Sequence, residues 1–123
     1  MRGDVLLVDA EGVIDSEHLR AAGLRVYSAT DVGKAVERLT EGAAPDVVVM
    51  SVPAEAEAVE QLRRRADYAT SIIVVGRDEG GRDFARRSGA DSFLPATADV
   101  LYEIHRALIL RRSGRRLPWA AIP

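Results

Sequence analysis

Residues 45–52 read PDVVVMSV. From Val47 to Met50 the run is apolar with no polar residue interleaved. A strand with one wet face alternates apolar and polar residues. A strand that does not alternate is covered on both faces, as in a parallel sheet sandwiched between helices. Runs of the same kind stand at Val5–Val8 and Ile72–Val75, with weaker ones at Leu24–Tyr27 and Ser92–Leu94. They recur roughly every 20–25 residues, about the length of one strand–helix repeat.

Helical periodicity fills the gaps. Val32, Ala35, Val36 and Leu39 follow the i, i+3, i+4, i+7 rule, with Thr30 or Asp31 as cap and Gly42 as stop. Val59 and Leu62 share one face of residues 55–68, ahead of Arg63, Arg64 and Arg65. Phe84 and Ala85 mark a short helix ending at Gly89. Leu101, Ile104 and Leu108 form the inner stripe of a last helix, with Thr97 as cap and Arg111 and Arg112 suited to its C-terminal dipole. The first helix, around Ser16–Ala22, is brief and closed by Gly23. Five β-α repeats predict a three-layer α/β domain, a doubly wound five-stranded parallel sheet with right-handed crossovers. That domain is expected over residues 1–112, with residues 113–123 as a tail or the start of a linker. Trp119 is a candidate anchor for the tail.

Composition narrows the function classes. The 123 residues fit one domain, and the formal net charge of -2 gives no global pull toward nucleic acid or membrane. With no cysteine, disulfides, zinc-thiolate sites and thiol catalysis are excluded. The N-terminal apolar run is short and flanked by Asp4 and Asp9, unlike a signal peptide, and no stretch is long enough to span a bilayer. A cytoplasmic protein is expected.

In an open parallel sheet, ligands and chemistry gather at the carboxyl ends of the strands. Asp9 and Glu11, at the end of strand one, are two carboxylates that could share a hard cation with a further oxygen ligand; equally, they could be solvated loop acids. Ser51 ends strand three, but a serine nucleophile needs a nearby base. His18 and His105 fall within helices, His105 as a partly buried residue, so Ser51 reads as a small space-filling residue. Only Gly12 follows strand one, and Gly80-Gly81 lacks the Lys-Ser/Thr of a phosphate loop. Dinucleotide binding and nucleotide hydrolysis are therefore not expected.

These segments, in this order, resemble one family. VLLVDAE (5–11), SATDVGKAVERL (28–39), PDVVVMSV (45–52), SIIVVGR (71–77) and ARRSGADSFLPAT (85–97) are similar to the receiver domain of two-component response regulators, the CheY-like, flavodoxin-like fold. The last segment is the most specific. The resemblance runs from Asp4 to about Arg112. It implies an acidic pair after strand one for Mg²⁺, a phosphoaccepting aspartate ending strand three, Thr or Ser ending strand four, Lys ending strand five, and a switch aromatic. On this sequence those positions carry Asp9 with Ala10 (Glu11 matching the acid that often follows), Ser51, Gly76, Ala96 and Phe93.

Four of these residues cannot do the family's chemistry. An acyl phosphate forms on a carboxylate, which Ser51 lacks. Ala10 and Ser51 remove two oxygen ligands from the cation. Ala96 removes the charge that would meet the phosphoryl oxygens, and Gly76 the hydroxyl that in the family draws the switch aromatic inward. The first helix is about a turn short, and Pro53 does not sit at the family's usual proline. The reading is therefore a degenerate receiver, with no cofactor, no metal and no enzymatic activity. It would act by phosphorylation-independent protein contact in signalling. The family's usual contact face, helix four, strand five and helix five, would include Arg82, Arg86, Phe93, Val100 and Ile109, and could serve a homodimer. Val100 and Ile109 are either exposed to a partner or packed at the core edge. The alternative is a small-molecule sensor using the strand-end pocket. Nucleic-acid binding by this domain is not expected. The basic run Arg111, Arg112, Arg115 and Arg116 is either a solvated helix end or part of a linker toward a following effector domain.

Overall fold

Val47–Met50 are all 0% exposed, as a doubly covered strand requires. In the computed structural model, which describes residues 1–52 and 54–121, they lie in β3 (Val47–Ser51). The other strands are β1 (Asp4–Val8), β2 (Arg25–Ala29), β4 (Ser71–Gly76), β5 (Ser92–Pro95) and β6 (Ala120–Ala121). The helices are α1 (Ser16–Ala21), α2 (Val32–Thr40), α3 (Ala58–Arg65), α4 (Glu79–Ser88) and α5 (Val100–Arg112). The strand order is β2-β1-β3-β4-β5-β6, and every pair is parallel. The order in which strands are added reverses between β1 and β3, the topological switch point of a doubly wound sheet.

Alternate residues along each strand feed two cores. Leu6, Val8, Val48, Met50, Ile72 and Val74 pack against α2, α3 and α4. Val5, Leu7, Val47, Val49, Ile73 and Val75 pack against α1 and α5. Aspartates cap four of the helices. Asp15, Asp31, Asp78 and Asp99 accept hydrogen bonds from the amides of His18, Lys34, Gly81 and Leu101. Asp31 thus decides between the two candidates for α2. For α5 the cap is Asp99 and not Thr97, because the chain turns two residues later than the periodicity suggests. Gly89 ends α4 at φ +88°, where a side chain would be strained.

The structure corrects the stripe expected of α5. Its buried side chains are Glu103, Ile104, Ala107 and Leu108, while Leu101 is only half-buried and His105 is exposed. Glu103 tolerates burial because the Ser92 hydroxyl donates to one carboxylate oxygen and Arg106 pairs with the other at 2.6 Å.

The five expected strands form the sheet, and a short sixth is added at its β5 edge. After the turn at Gly114 the chain runs back along the sheet edge. The Leu117 amide donates to Ser71 Oγ at 2.9 Å, and its side chain is buried at 3% exposure. Arg116 lies 4.7 Å above the Tyr68 ring and 3.7 Å from Asp91. Ala120 and Ala121 then pair with Ser92 and Phe93, which satisfies backbone groups that a bare β5 edge would expose. Leu117 is the tail's anchor; Trp119, the expected one, keeps 41% of its surface exposed. Pro53 and the last two residues of LPWAAIP lie outside the described residues. Among the described residues, no helix is long and apolar enough to cross a membrane.

Candidate functional site

β1 and β3 are neighbours, so their ends bring Asp9 and Ser51 together. Ser51 Oγ donates to Asp9 Oδ1 at 2.8 Å. The Val13 amide donates to the same oxygen at 3.1 Å, and the Ile14 amide donates to Asp9 Oδ2 at 2.7 Å. Both carboxylate oxygens are therefore committed inside the protein. Asp9 fastens the loop that leads into α1, and Ile14, 9% exposed, is held by it at the core edge. Ser51, itself 7% exposed, matches in size the space beside Asp9 and supplies the donor that a second carboxylate would lack.

The neighbouring acids do not join this centre. Ala10 and Glu11 are exposed. Glu11 instead borders a cleft with Arg77, Asp78 and Phe84. Among the described residues no group of three or more His, Asp or Glu side chains converges as a cation site would require. A divalent cation at this strand end does not fit these residues, since the one retained carboxylate already accepts three hydrogen bonds.

The end of β4 is shaped by close packing. Gly76 is buried, and a Cβ placed on it would lie 2.6 Å from Val52 Cγ2 and 3.1 Å from Phe93 Cε1. A Cβ on Gly81, in the first turn of α4, would meet the same two side chains at 3.0 and 3.3 Å and the Gly76 Cα at 3.6 Å. The two glycines form a slot, and Phe93 and Val52 fill it. Phe93 is 5% exposed as a result. Ala96 is half-buried with its side chain against the α1/α5 core, while its amide donates to the Gly76 carbonyl at 2.8 Å.

A cavity of about 330 Å³ opens at the switch point between the β1 and β3 ends. It is lined by Val8, Ala10, Thr30, Asp31, Val32, Met50, Ser51, Ala54, Glu55 and Ala58.

No family model and no curated protein matches the chain. Solved structures do. A CheY-like response regulator receiver domain protein from Methanospirillum hungatei JF-1 superposes with a TM-score of 0.77 at 17% identity, covering 93% of this chain and 99% of the other. The fold is that of a CheY-like response-regulator receiver domain. Two further receiver-fold neighbours share more sequence. A LuxR family DNA-binding response regulator from Silicibacter pomeroyi is 26% identical over 98% of this chain and 96% of that one, with a TM-score of 0.70. A LuxR family two-component response regulator from Aurantimonas sp. SI85-9A1 is 25% identical over 99% and 90%, with a TM-score of 0.68.

Within this fold, the residues singled out by resemblance fall into separate groups. Asp9 and Ser51 touch. Gly76 and Phe93 touch each other. Ala96 meets the second pair through its backbone, its amide donating to the Gly76 carbonyl at 2.8 Å, and Glu11 borders the neighbouring cleft. The contact face loses one expected member, because Phe93 points into the slot and not outward. Val100 is half-buried against the α1/α5 core, whereas Ile109 is 49% exposed and Arg82 and Arg86 are exposed. Two exposed aromatics, Tyr102 on α5 at 72% and Trp119 beside β6 at 41%, stand outside the residues the resemblance singles out. Val52 and Gly81 were missed. Gly80-Gly81 was weighed only as a phosphate loop. Two glycines in the first turn of a helix cost about 1 kcal/mol each relative to alanine, and that cost is the signal of a close approach.

Proposed function

We propose that this receiver works without phosphorylation, as a signalling module that binds a protein partner and catalyses no reaction. One observation carries the reading: the Asp9 carboxylate is closed by Val13, Ile14 and Ser51, at the position where the family's chemistry needs open acidic ligands. Two others support it. Ser51 offers no carboxylate for an acyl phosphate, and the slot at Gly76 is already filled by Phe93 and Val52. The contact surface in this reading is the outer side of α4, the β6 edge and α5, with Arg82, Arg86, Tyr102, Ile109 and Trp119. Self-association through that surface makes the working unit a homodimer. The two LuxR family regulators among the neighbours support an effector domain that follows this one; the basic run is not the linker to it, because Arg111 pairs with Asp46 and Asp67 and Arg116 with Asp91 inside the domain.

The test is a titration of the labelled protein with Mg²⁺ and beryllium fluoride, a phosphoryl mimic, followed by amide NMR. The spectrum is expected to stay unchanged at Asp9, Ser51 and Phe93. Saturable shifts at those residues would overturn the reading. Solution mass against concentration tests the surface. The wild type is expected to self-associate and Ile109→Asp to remain monomeric, and identical masses for the two would remove that surface from the proposal.

A further inference from the structure

We propose that the cavity at the β1/β3 switch point is a binding site for a small organic ammonium compound with an apolar body. This goes beyond the protein-contact reading and does not depend on it.

The walls set the body. Val8, Val32, Met50, Ala54 and Ala58 supply an aliphatic surface, and Met50 adds an adaptable thioether. A volume of about 330 Å³ is at the lower end of the range for small-molecule pockets. It suits a compound of roughly ten non-hydrogen atoms, given about 30 Å³ for each water-sized unit.

The rim sets the charge. Asp31 and Glu55 line the cavity, and no Lys, Arg or His lines it. Asp31 Oδ1 accepts from the Lys34 amide at 2.8 Å, which leaves its second oxygen open. The Glu55 carboxylate makes no hydrogen bond or ion pair among the described residues and is exposed at the cavity mouth. Thr30 and Ser51 add hydroxyls. The amino ends of α2 and α3 also approach the site, and helix amino ends favour anions. Each contributes about half a positive charge, so two such ends amount to roughly one charge against two full carboxylates. The sum is negative, which repels phosphates and carboxylates and attracts an ammonium group.

Ala54 lines the cavity two residues after Val52, the side chain that fills the slot beside Gly76 and Phe93.

The experiment uses three probes of similar size with different charge: 2-phenylethylamine, 2-phenylethanol and phenylacetate. Each is titrated into the full chain and followed by amide NMR. The amine is expected to bind about tenfold more tightly than the alcohol, as a half-exposed ion pair gives, and phenylacetate not measurably. Shifts are expected at Val32, Ala54 and Ala58. Glu55→Gln is expected to erase most of the amine's advantage while leaving alcohol affinity unchanged. Ala54→Phe is expected to abolish binding of both, with an unchanged circular dichroism spectrum showing that it folds. Equal affinity for amine and alcohol, preference for phenylacetate, shifts mapping elsewhere, or no binding by any probe would each overturn the proposal. The beryllium fluoride titration reads Asp9 and Ser51 separately, so the two proposals fail independently.

Discussion

Gly76→Ala tests whether the end of β4 is closed by packing. Gly76 is not among the residues with positive φ, so its backbone accepts alanine without strain. In open space the change would stabilise a strand by about 0.5–1 kcal/mol, because glycine loses more chain entropy on folding. The space is not open. The new Cβ would stand 2.6 Å from Val52 Cγ2 and 3.1 Å from Phe93 Cε1. Val52 is β-branched and cannot rotate away cheaply, and Phe93 is held in the core. Overpacking of this kind costs typically 1–3 kcal/mol. Subtracting the entropic gain leaves a net loss of about 1–2 kcal/mol. For a domain of this size that is a fall in Tm of roughly 4–8 °C, taking about 4 °C per kcal/mol. Urea unfolding gives the free energy directly, provided the slope with denaturant is unchanged. The decisive measurement is the double-mutant cycle with Val52→Ala. Removing the blocking methyls is expected to make Gly76→Ala neutral or stabilising, a coupling of about 1–2 kcal/mol. A stable Gly76→Ala single variant, or strict additivity with Val52→Ala, would show that the slot has room and that the closure argument is wrong. Gly76→Thr, which restores the family's residue type, is expected to be worse than alanine for the same reason.

Two other predictions follow from particular contacts. Asp9→Ala removes three hydrogen bonds to a carboxylate and leaves the Ile14 amide without its acceptor, so a loss of about 2–3 kcal/mol is expected in urea unfolding. A loss under about 0.5 kcal/mol would mean that the loop is not held by Asp9. Leu117→Ala is expected to cost about 2–3 kcal/mol and to free the tail. Trp119 is the chain's only tryptophan, so its fluorescence reports this directly. Increased iodide quenching in the variant is expected, and unchanged quenching would place the anchor elsewhere.

The layered α/β fold was legible in residues 45–52 and their counterparts because burial on both faces removes polar alternation, a signal carried by the strand itself. Helix α2 was legible for the same kind of local reason, a 3.6-residue stripe with Asp31 before it. Strand β6 was not. Ala120 and Ala121 have no strand signature of their own and pair only because β5 presents an unpaired edge beside them. Glu103 was not legible as a buried residue either: Arg106 is its i+3 neighbour on α5, but burial also depends on the Ser92 hydroxyl of β5, which only the tertiary fold brings to it.

The candidate site divides in the same way. At Ser51, Gly76 and Ala96 the residue types alone show that the carboxylate, hydroxyl and amine the resemblance implies are absent, since a missing group is missing in any fold. What occupies the vacated space was decided only in three dimensions. Asp9 could equally have been a cation ligand or a loop acid until the Val13 and Ile14 amides closed on it. Gly76 could equally have been an empty position or a filled one until Phe93 and Val52 were placed against it. Composition records which groups are absent, but packing across chain-distant strand ends decides which neighbours replace them.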